Sequence, residues 1–455
     1  MSTTPAVAPE QGRPKILTRP ILEWALWDWG SAAFNAVATT FVFSVYLTGT
    51  DRFAPGDEAS VHLTTGMTVA GILIAVLAPI TGQRADRRGK GGVWLGWFTG
   101  MVVLCCAAMF FVAPDSPLGR SGAMWLGIGL LGLGNVFFEF ASVNYNAMLN
   151  HLTTKENMGR VSGLGWGAGY VGGIVLLLIL YIGLIGPNLF GVPTDNGLTV
   201  RVSMVIAAAW FALSAAPVVL RPPKPAVVHT GSDEHESLLD SYRLLWGTVK
   251  SLYRDAPQTL FFLIASAVFR DGLAGVFTFG AILAGTAFGF SSGDVLIFAI
   301  AANVVAGLAT VGFGALDDRF GPKKVIIVSL VAMVASGMGV FLLHDRGPVV
   351  FWSLGLVLCV FVGPTQSASR SFLGRMIPKG REGEVYGLYA TTGRAVSFLA
   401  PAMYGLFLRI GESVTPAGQD FTYWGILGII LILLAGLLLT LPVKAHRAHL
   451  DHLGE

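Results

Sequence analysis

The sequence predicts an all-α integral membrane protein in which twelve transmembrane helices form two pseudo-symmetric six-helix bundles. Composition is the first observation behind this: of 455 residues, 53% are hydrophobic and only 13% charged, whereas charged residues approach a quarter of a soluble globular chain. The second is a series of apolar runs, each near the roughly 20 residues that a helix needs to cross a bilayer. They are continuous rather than alternating, which excludes the strands of an outer-membrane barrel. The third is a repeated polar hairpin. Gly82 is followed by Asp86-Arg87 and Gly89-Lys90, and the pattern returns half a chain later as Gly314, Asp318-Arg319 and Gly321, with Lys323 and Lys324 close behind. Each copy sits between apolar runs, so the chain is built as two related halves.

The twelve spans are placed near 21 to 48, 62 to 81, 92 to 113, 122 to 148, 161 to 184, 199 to 219, 258 to 284, 294 to 313, 325 to 343, 349 to 371, 384 to 408 and 421 to 441. They divide the chain into a tail (1–20), a first bundle (21–219), a linker (220–257), a second bundle (258–441) and a second tail (442–455). Positive charge sets the orientation. Most of the 30 Lys and Arg, from Arg13 and Lys15 to Lys444 and Arg447, fall on the tails, the linker and the alternate loops that contain the hairpins. The opposite loops hold only Arg52, Arg120, Arg201, Arg346 and Arg409. Both termini and both hairpins are therefore expected to be cytoplasmic, and the net charge of +3 reflects topology rather than nucleic-acid binding. The first residues lack the apolar core and cleavage site of a signal peptide, so the first span is expected to act as its own insertion signal. Cys105, Cys106 and Cys359 lie within spans, have no metal-ligand spacing and read as packing residues. No metal and no cofactor are expected.

The first span opens with Trp24, Trp27 and Trp29, indoles that suit the membrane interface. Asp28, Ser31, Asn35 and Thr39 follow at helical spacing and share one face. A polar stripe in a membrane helix must face protein or water. It either bonds to neighbouring helices or lines a substrate site, and an unpaired Asp28 would cost on the order of a few kcal/mol. The fourth span repeats this with Asn135, Glu139, Ser142 and Asn146. Burial disfavours the charged form of a carboxyl group, which makes Glu139 the first candidate for a proton carrier; the alternative is a permanently paired structural residue. Gly127 to Gly132 matches a dinucleotide fingerprint by letter alone, since no strand precedes it. Gly159, Gly163, Gly167 and their neighbours give the fifth span a ridge that allows close helix approach.

The paired hairpins resemble the signature loop of the major facilitator superfamily, which joins the second and third helices of each half. In that family the acidic residue holds the halves together on the cytoplasmic side, so the resemblance carries a gating role onto Asp86 and, more weakly, Asp318. Gly82, Arg87, Gly89, Gly314, Arg319 and Gly321 complete the expected gate. An Asp near a helix start is drawn to its free amides by roughly 0.3 to 1 kcal/mol, strong enough to bias and weak enough to break. Trp27 to Asn35, Asn144 to Leu149, Arg160 to Trp166, Gly169 to Gly173, Gln366, Ser369-Arg370-Ser371, Pro378 and Gly387-Leu388-Tyr389 resemble the vacuole-effluxer branch. That branch includes fungal autophagy-related vacuolar amino-acid effluxers and bacterial members of unassigned substrate, and a bacterial plasma membrane is the expected location. The second hairpin departs from the pattern at Pro322.

The linker passes through His229, Asp233, Glu234, His235 and Glu236, which read as a solvated segment rather than a metal site. Leu238 to Arg254 mixes aromatic and basic residues, as in a helix on the membrane surface. In the second half, Arg270 and Asp271 lie near the midplane. Neighbours on a helix point about 100° apart, so one is expected to face the cavity and the other a neighbouring helix. Asn303 and Thr310 share a face of the eighth span; Tyr386, Ala390, Arg394 and Ser397 share one of the eleventh. Arg370, near the end of the tenth, either snorkels to the interface or joins the inner gate.

The resemblance places helices 1, 4, 7 and 10 around one cavity, and with them five of six intramembrane charges, Asp28, Glu139, Arg270, Asp271 and Arg370, with Arg394 on helix 11 the sixth; acids cluster in the first half and arginines in the second. That division suits a zwitterion. The expectation is a proton-coupled carrier of amino acids or similar zwitterions, with Asp28, Asn35, Asn135, Glu139, Arg270, Asp271 and Arg394 around the substrate and Glu139, Asp271 and Asp28 as proton-coupling groups. Its partners would be a small-molecule substrate, a coupling proton or other cation, and the lipid bilayer, with the chain acting as a monomer. If the charges instead pair with one another, the remaining cavity suits efflux of amphipathic compounds. A ligand sensor without transport is a third reading. No catalytic motif stands in a credible context, so an enzyme is not expected.

Overall fold

Backbone amides in hydrocarbon must be bonded internally, and the chain meets this demand with helices alone. The computed structural model describes residues 16–49, 52–55, 58–223, 238–416 and 418–444, and no strand occurs among them. Arg13, Lys15, Lys224, Arg447 and the linker segment from His229 to Glu236 lie outside the described residues. The first half consists of α1 (Arg19–Leu47), α2 (Glu58–Arg88), α3 (Gly91–Phe111), α4 (Gly119–Leu152), α5 (Met158–Ile185) and α6 (Asp195–Leu220). The linker forms α7 (Leu238–Asp255). The second half comprises α8 (Pro257–Thr286), α9 (Ser292–Phe320), α10 (Pro322–Leu342), α11 (Pro348–Met376), the broken pair α12 (Glu382–Ala395) and α13 (Leu399–Val414), and α14 (Thr422–Thr440).

Eleven of these helices are long and apolar enough to cross a membrane among the described residues, and the twelfth crossing is the broken pair. The span expected from 384 to 408 is thus two helices, not one. Pro401 supplies the reason: it cannot donate to the carbonyl of residue 397 and its ring crowds that carbonyl, so it sits in the first turn of a new helix.

The hairpins also differ from their reading as polar loops. α2 runs through Arg88 and α9 through Phe320, so Gly82, Asp86, Arg87, Gly314, Asp318 and Arg319 are all helical. Only Gly89 (φ 58°) and Gly321 (φ 90°) turn the chain, in backbone conformations that side chains other than glycine's resist. Gly82 and Gly314 serve contact instead. α2 crosses α12 where a Cβ on Gly82 would strike the Gly383 carbonyl. α5 crosses α9 where a Cβ on Gly163 would lie 2.7 Å from the Thr310 carbonyl oxygen and one on Gly314 2.8 Å from that of Gly159. The two halves therefore meet backbone to backbone at the end of the molecule that carries both hairpins, here called the hairpin face.

Trp24 and Trp27 correct another expectation. They are not interfacial but 0% and 1% exposed, stacked on Tyr145 of α4 with ring centroids 4.5 and 4.3 Å away. Their indole N–H groups donate to the Tyr145 carbonyl and to Thr99 Oγ1, both at 3.0 Å, which lets the polar end of each ring be buried. Beyond them α1 widens into a π-helical stretch, Ala33–Phe41. The i→i+5 bonding there rotates the register, so the stripe does not keep one face: Ser31 is buried while Asn35 is exposed.

Candidate functional site

Asp86, Asp318, Asp28, Arg370, Glu139 and Arg394 lie along the seam between the halves, beginning at the hairpin face. The Asp86 carboxylate accepts from the amides of Gly383 and Glu384, each at 2.9 Å, and so caps the start of α12. Asp318 does the same for α5, accepting from the amides of Gly159 at 2.7 Å and Arg160 at 3.2 Å. It is further held by the Arg160 side chain at 2.7 Å and by Arg375 at 3.0 Å. A carboxylate on free helix-start amides gains both hydrogen bonds and the favourable end of the helix dipole. Asp318, expected as the weaker member, has the larger set of partners. Arg87 lies close enough to Glu384 to act on its charge. Arg319 does not join the seam: it turns away from Asp318 and lies over the Phe320 ring at 5.2 Å, as the 100° step between helix neighbours requires.

One helical turn deeper, Arg370 of α11 is inserted into the first half and only 3% exposed, so it does not snorkel. Its guanidinium donates to Ser162 Oγ at 3.0 Å, the Ser162 carbonyl at 2.7 Å, Asn146 Oδ1 at 3.2 Å and Asp28 Oδ2 at 3.3 Å. The rings of Trp24, Tyr145 and Trp166 surround it at 5.0 to 5.8 Å, a setting that favours a planar cation. Asp28 also accepts from the Tyr145 hydroxyl at 2.9 Å. Expected beside the substrate, it is instead occupied by the other half.

Further from the hairpin face the halves are joined again, by an ion pair whose members keep some exposure. Glu139 of α4 pairs with Arg394 of α12 at 2.5 Å, and the two side chains are 24% and 32% exposed. The polar stripe of α4 thus points at the second half, through Glu139 to Arg394 and through Asn146 to Arg370. Asn135, on the same stripe, is buried.

Arg270 and Asp271 were expected to split between cavity and neighbouring helix, but both engage the broken crossing. Arg270 donates to the Tyr389 carbonyl at 2.9 Å and lies 3.6 Å over that ring. Asp271 accepts from the Ala400 amide at 2.6 Å and caps α13. The break makes this compatible with a 100° step, because it offers two helices where one was expected. Arg270 is half-buried and Asp271 buried.

Several members of the seam were missed as such. Asp317, 2% exposed, pairs with Arg375 at 2.9 Å and accepts from the Ser371 hydroxyl. Charge topology and the resemblance of the Arg160–Trp166 stretch mark Arg160 without pairing it with Asp318, and Arg375 carries no signal beyond its place in a positive loop. The doublet Asp317-Asp318 was the available signal for a second carboxylate. No spacing along the chain announces Tyr145, Ser162 or Trp166 as neighbours of Arg370.

Comparison with known proteins bears on what this seam serves. The profile of the family "Vacuole effluxer Atg22 like" matches residues 55–451. An uncharacterized MFS-type transporter of Bacillus subtilis, YxiO, is 24% identical over 421 residues, 92% of this chain and 95% of its own. Autophagy-related protein 22-1 of Neosartorya fischeri is 26% identical over 282 residues, 57% of this chain and 45% of the relative, so the alignment spans about half of that fungal protein. Two solved structures share the fold. A bacterial homologue of the iron transporter ferroportin in an outward-facing state has a TM-score of 0.66 at 14% identity, over 94% of this chain and 98% of its own. The proton:xylose symporter XylE has a TM-score of 0.68 at 12% identity, over 94% and 96%. With a family profile matched over most of its length and two six-helix halves joined by a polar seam, this chain belongs to the vacuole effluxer Atg22-like family and is a secondary transporter of the major facilitator superfamily.

Proposed function

We propose that the protein carries amino acids or similarly small zwitterions, coupled to protons, by rocking its halves about a midplane site. The observation that carries this reading is the Glu139–Arg394 pair. It joins one acid and one base from opposite halves at 2.5 Å, in the part of the seam where both side chains keep some exposure. A zwitterion brings a matching charge for each partner: its ammonium replaces Arg394 at Glu139, and its carboxylate replaces Glu139 at Arg394, with Arg270 as a second cation on α8. Bidentate guanidinium–carboxylate contacts favour this exchange. Protonation of Glu139 would release Arg394 without a substrate, which couples the proton to the same pair. The hairpin face is taken as cytoplasmic, so the contacts there close that side, and the chain works as a monomer in a bacterial plasma membrane. The family's description as effluxers and the resemblance to vacuolar amino-acid effluxers fit this substrate class.

A second reading, efflux of amphipathic drugs or hydrophobic metabolites, is favoured by one observation: Asp28 with Arg370, and Glu139 with Arg394, already satisfy one another. Thermal stability of the purified protein across amino acids, dipeptides, organic acids and amphipathic drugs separates the two. A ligand at about a hundred times its dissociation constant adds roughly 2.7 kcal/mol to the native state. Zwitterions are expected to stabilise the wild type and not Arg394→Ala, followed by flux in proteoliposomes under an imposed proton gradient. Stabilisation by drugs alone would overturn the zwitterion reading. Transport by Glu139→Gln that keeps its pH dependence would remove the coupling role.

A further inference from the structure

The linker helix α7 is placed to do more than connect the halves. Successive helix residues turn by 100°, and the described side chains of α7 sort into sectors. Ser241, Leu245, Thr248 and Leu252 form one, buried against the protein at no more than 9% exposure. Polar contacts tie this side to both halves. Arg84 of α2 donates to Ser241 Oγ at 3.1 Å, while Arg381, just before α12, donates to Thr248 Oγ1 at 2.6 Å and to Ser251 Oγ at 3.4 Å. About a third of a turn round the helix, Tyr242, Trp246 and Tyr253 are 37%, 65% and 73% exposed. Roughly a quarter turn beyond them stand Arg243, Lys250 and Arg254, all exposed.

Tyr242 fixes where the aromatic sector points. Its hydroxyl donates to the carbonyl of Val76 on α2 at 2.7 Å. Val76 lies about 18 Å along α2 from the helix end at Arg88, at 1.5 Å per residue, and is itself exposed on the outer wall of the crossing. The aromatic sector therefore faces down that wall toward the hydrocarbon, and the cationic sector stands at headgroup height beside it. Trp and Tyr favour this boundary, and basic residues beside an apolar helix face are attracted to anionic lipid. Among the described residues, the acidic partners of Arg243 and Arg254 are on α7 itself, Asp240 at 3.9 Å and Asp255 at 2.9 Å. Lys250 makes no ion pair or hydrogen bond among the described residues.

We propose that α7 is a docking helix for anionic phospholipid of the leaflet at the hairpin face, with Trp246 and Tyr253 seated among the lipids and Arg243, Lys250 and Arg254 engaging the lipid phosphates. The full chain is reconstituted in phosphatidylcholine bilayers containing either dibrominated phosphatidylglycerol or dibrominated phosphatidylcholine at equal mole fraction. Quenching assigned to Trp246 is taken as the difference between wild type and Trp246→Phe. Phosphatidylglycerol is expected to quench more strongly, corresponding to an enrichment of about fivefold per engaged cation at low salt. The triple variant Arg243→Gln/Lys250→Gln/Arg254→Gln, altered only at exposed positions, should bring the two lipids to equality, as should high salt. Equal quenching of the wild type by both lipids would overturn the proposal, and so would a phosphatidylglycerol preference that survives the triple variant. Absence of quenching by either lipid, with disulfide-linked dimers of Tyr253→Cys, would assign the face to a second copy of the chain and also overturn it.

Discussion

Asp86 and Asp318 hold corresponding helix starts from opposite halves, but their surroundings differ. Asp86 meets two backbone amides; Asp318 meets two amides and two guanidinium groups. Asp86→Asn keeps the shape and removes the charge, and should shift the balance between closed and open hairpin face by about two- to fivefold, the range of a helix-start carboxylate. Asp318→Asn should shift it further, since Arg160 and Arg375 lose a shared anion. Spin-label distances across the hairpin face read both, and equal shifts would contradict the unequal partner sets. Arg370 is the more demanding residue. Arg370→Lys retains the charge but cannot reach Ser162, Asn146 and Asp28 together. Arg370→Ala leaves Asp28 without its cation and is expected to cost about 3 to 5 kcal/mol. A thermal melt in which the Lys variant matches the wild type would show that charge alone matters there.

Among the elements, the broken crossing carries the most consequence. α12 supplies Arg394 to Glu139 and Tyr389 to Arg270, and α13 begins on Asp271. Asp271→Leu removes the acceptor at the start of α13 and should destabilise it by about 0.5 to 2 kcal/mol, as loss of a helix cap does. Hydrogen exchange at Ala400 and Ala402 should rise while that of α14 stays unchanged. Glycine contact is the second elemental feature. A side chain at Gly82 meets the Gly383 backbone, which has no freedom to move aside, so Gly82→Val should hold α2 and α12 apart and favour an open hairpin face. The same cross-face distance measurement should show a population displaced by several ångströms.

For the molecule as a whole, the division of charge between halves decides between carrier readings. A charge swap, Glu139→Arg with Arg394→Glu, keeps an ion pair across the seam but reverses which half bears which sign. If the pair only fastens the halves, the swapped protein should melt within about 1 kcal/mol of the wild type and keep its transport. If a zwitterion bridges the halves in a fixed orientation, stability should survive and zwitterion flux should fall at least tenfold, because Arg270 then stands on the wrong side of the substrate.

Much of this was legible along the chain. Apolar length gave the crossings, since hydrocarbon admits only internally bonded backbone, and Gly-Asp-Arg repeats gave the two halves. The stripe of Asn135, Glu139, Ser142 and Asn146 marked the face of α4 that meets the other half, because polar groups have nowhere else to go in a bilayer. The partners were a different matter. That Asp28 faces Arg370, that Glu139 faces Arg394, and that Arg270 and Asp271 both serve the broken crossing depend on how helices far apart in sequence pack. A single-chain pattern records the face of a helix but not what stands opposite. The π-helical turn of α1 and the break before Pro401 show the same limit within one element: they change the register by fractions of a turn. The sequence by itself determined the membrane fold, its twofold repeat and most of its polar faces, through local periodicity. Tertiary structure alone decided which charges meet, because those contacts are fixed by glycine-to-glycine crossings between halves that no local spacing encodes.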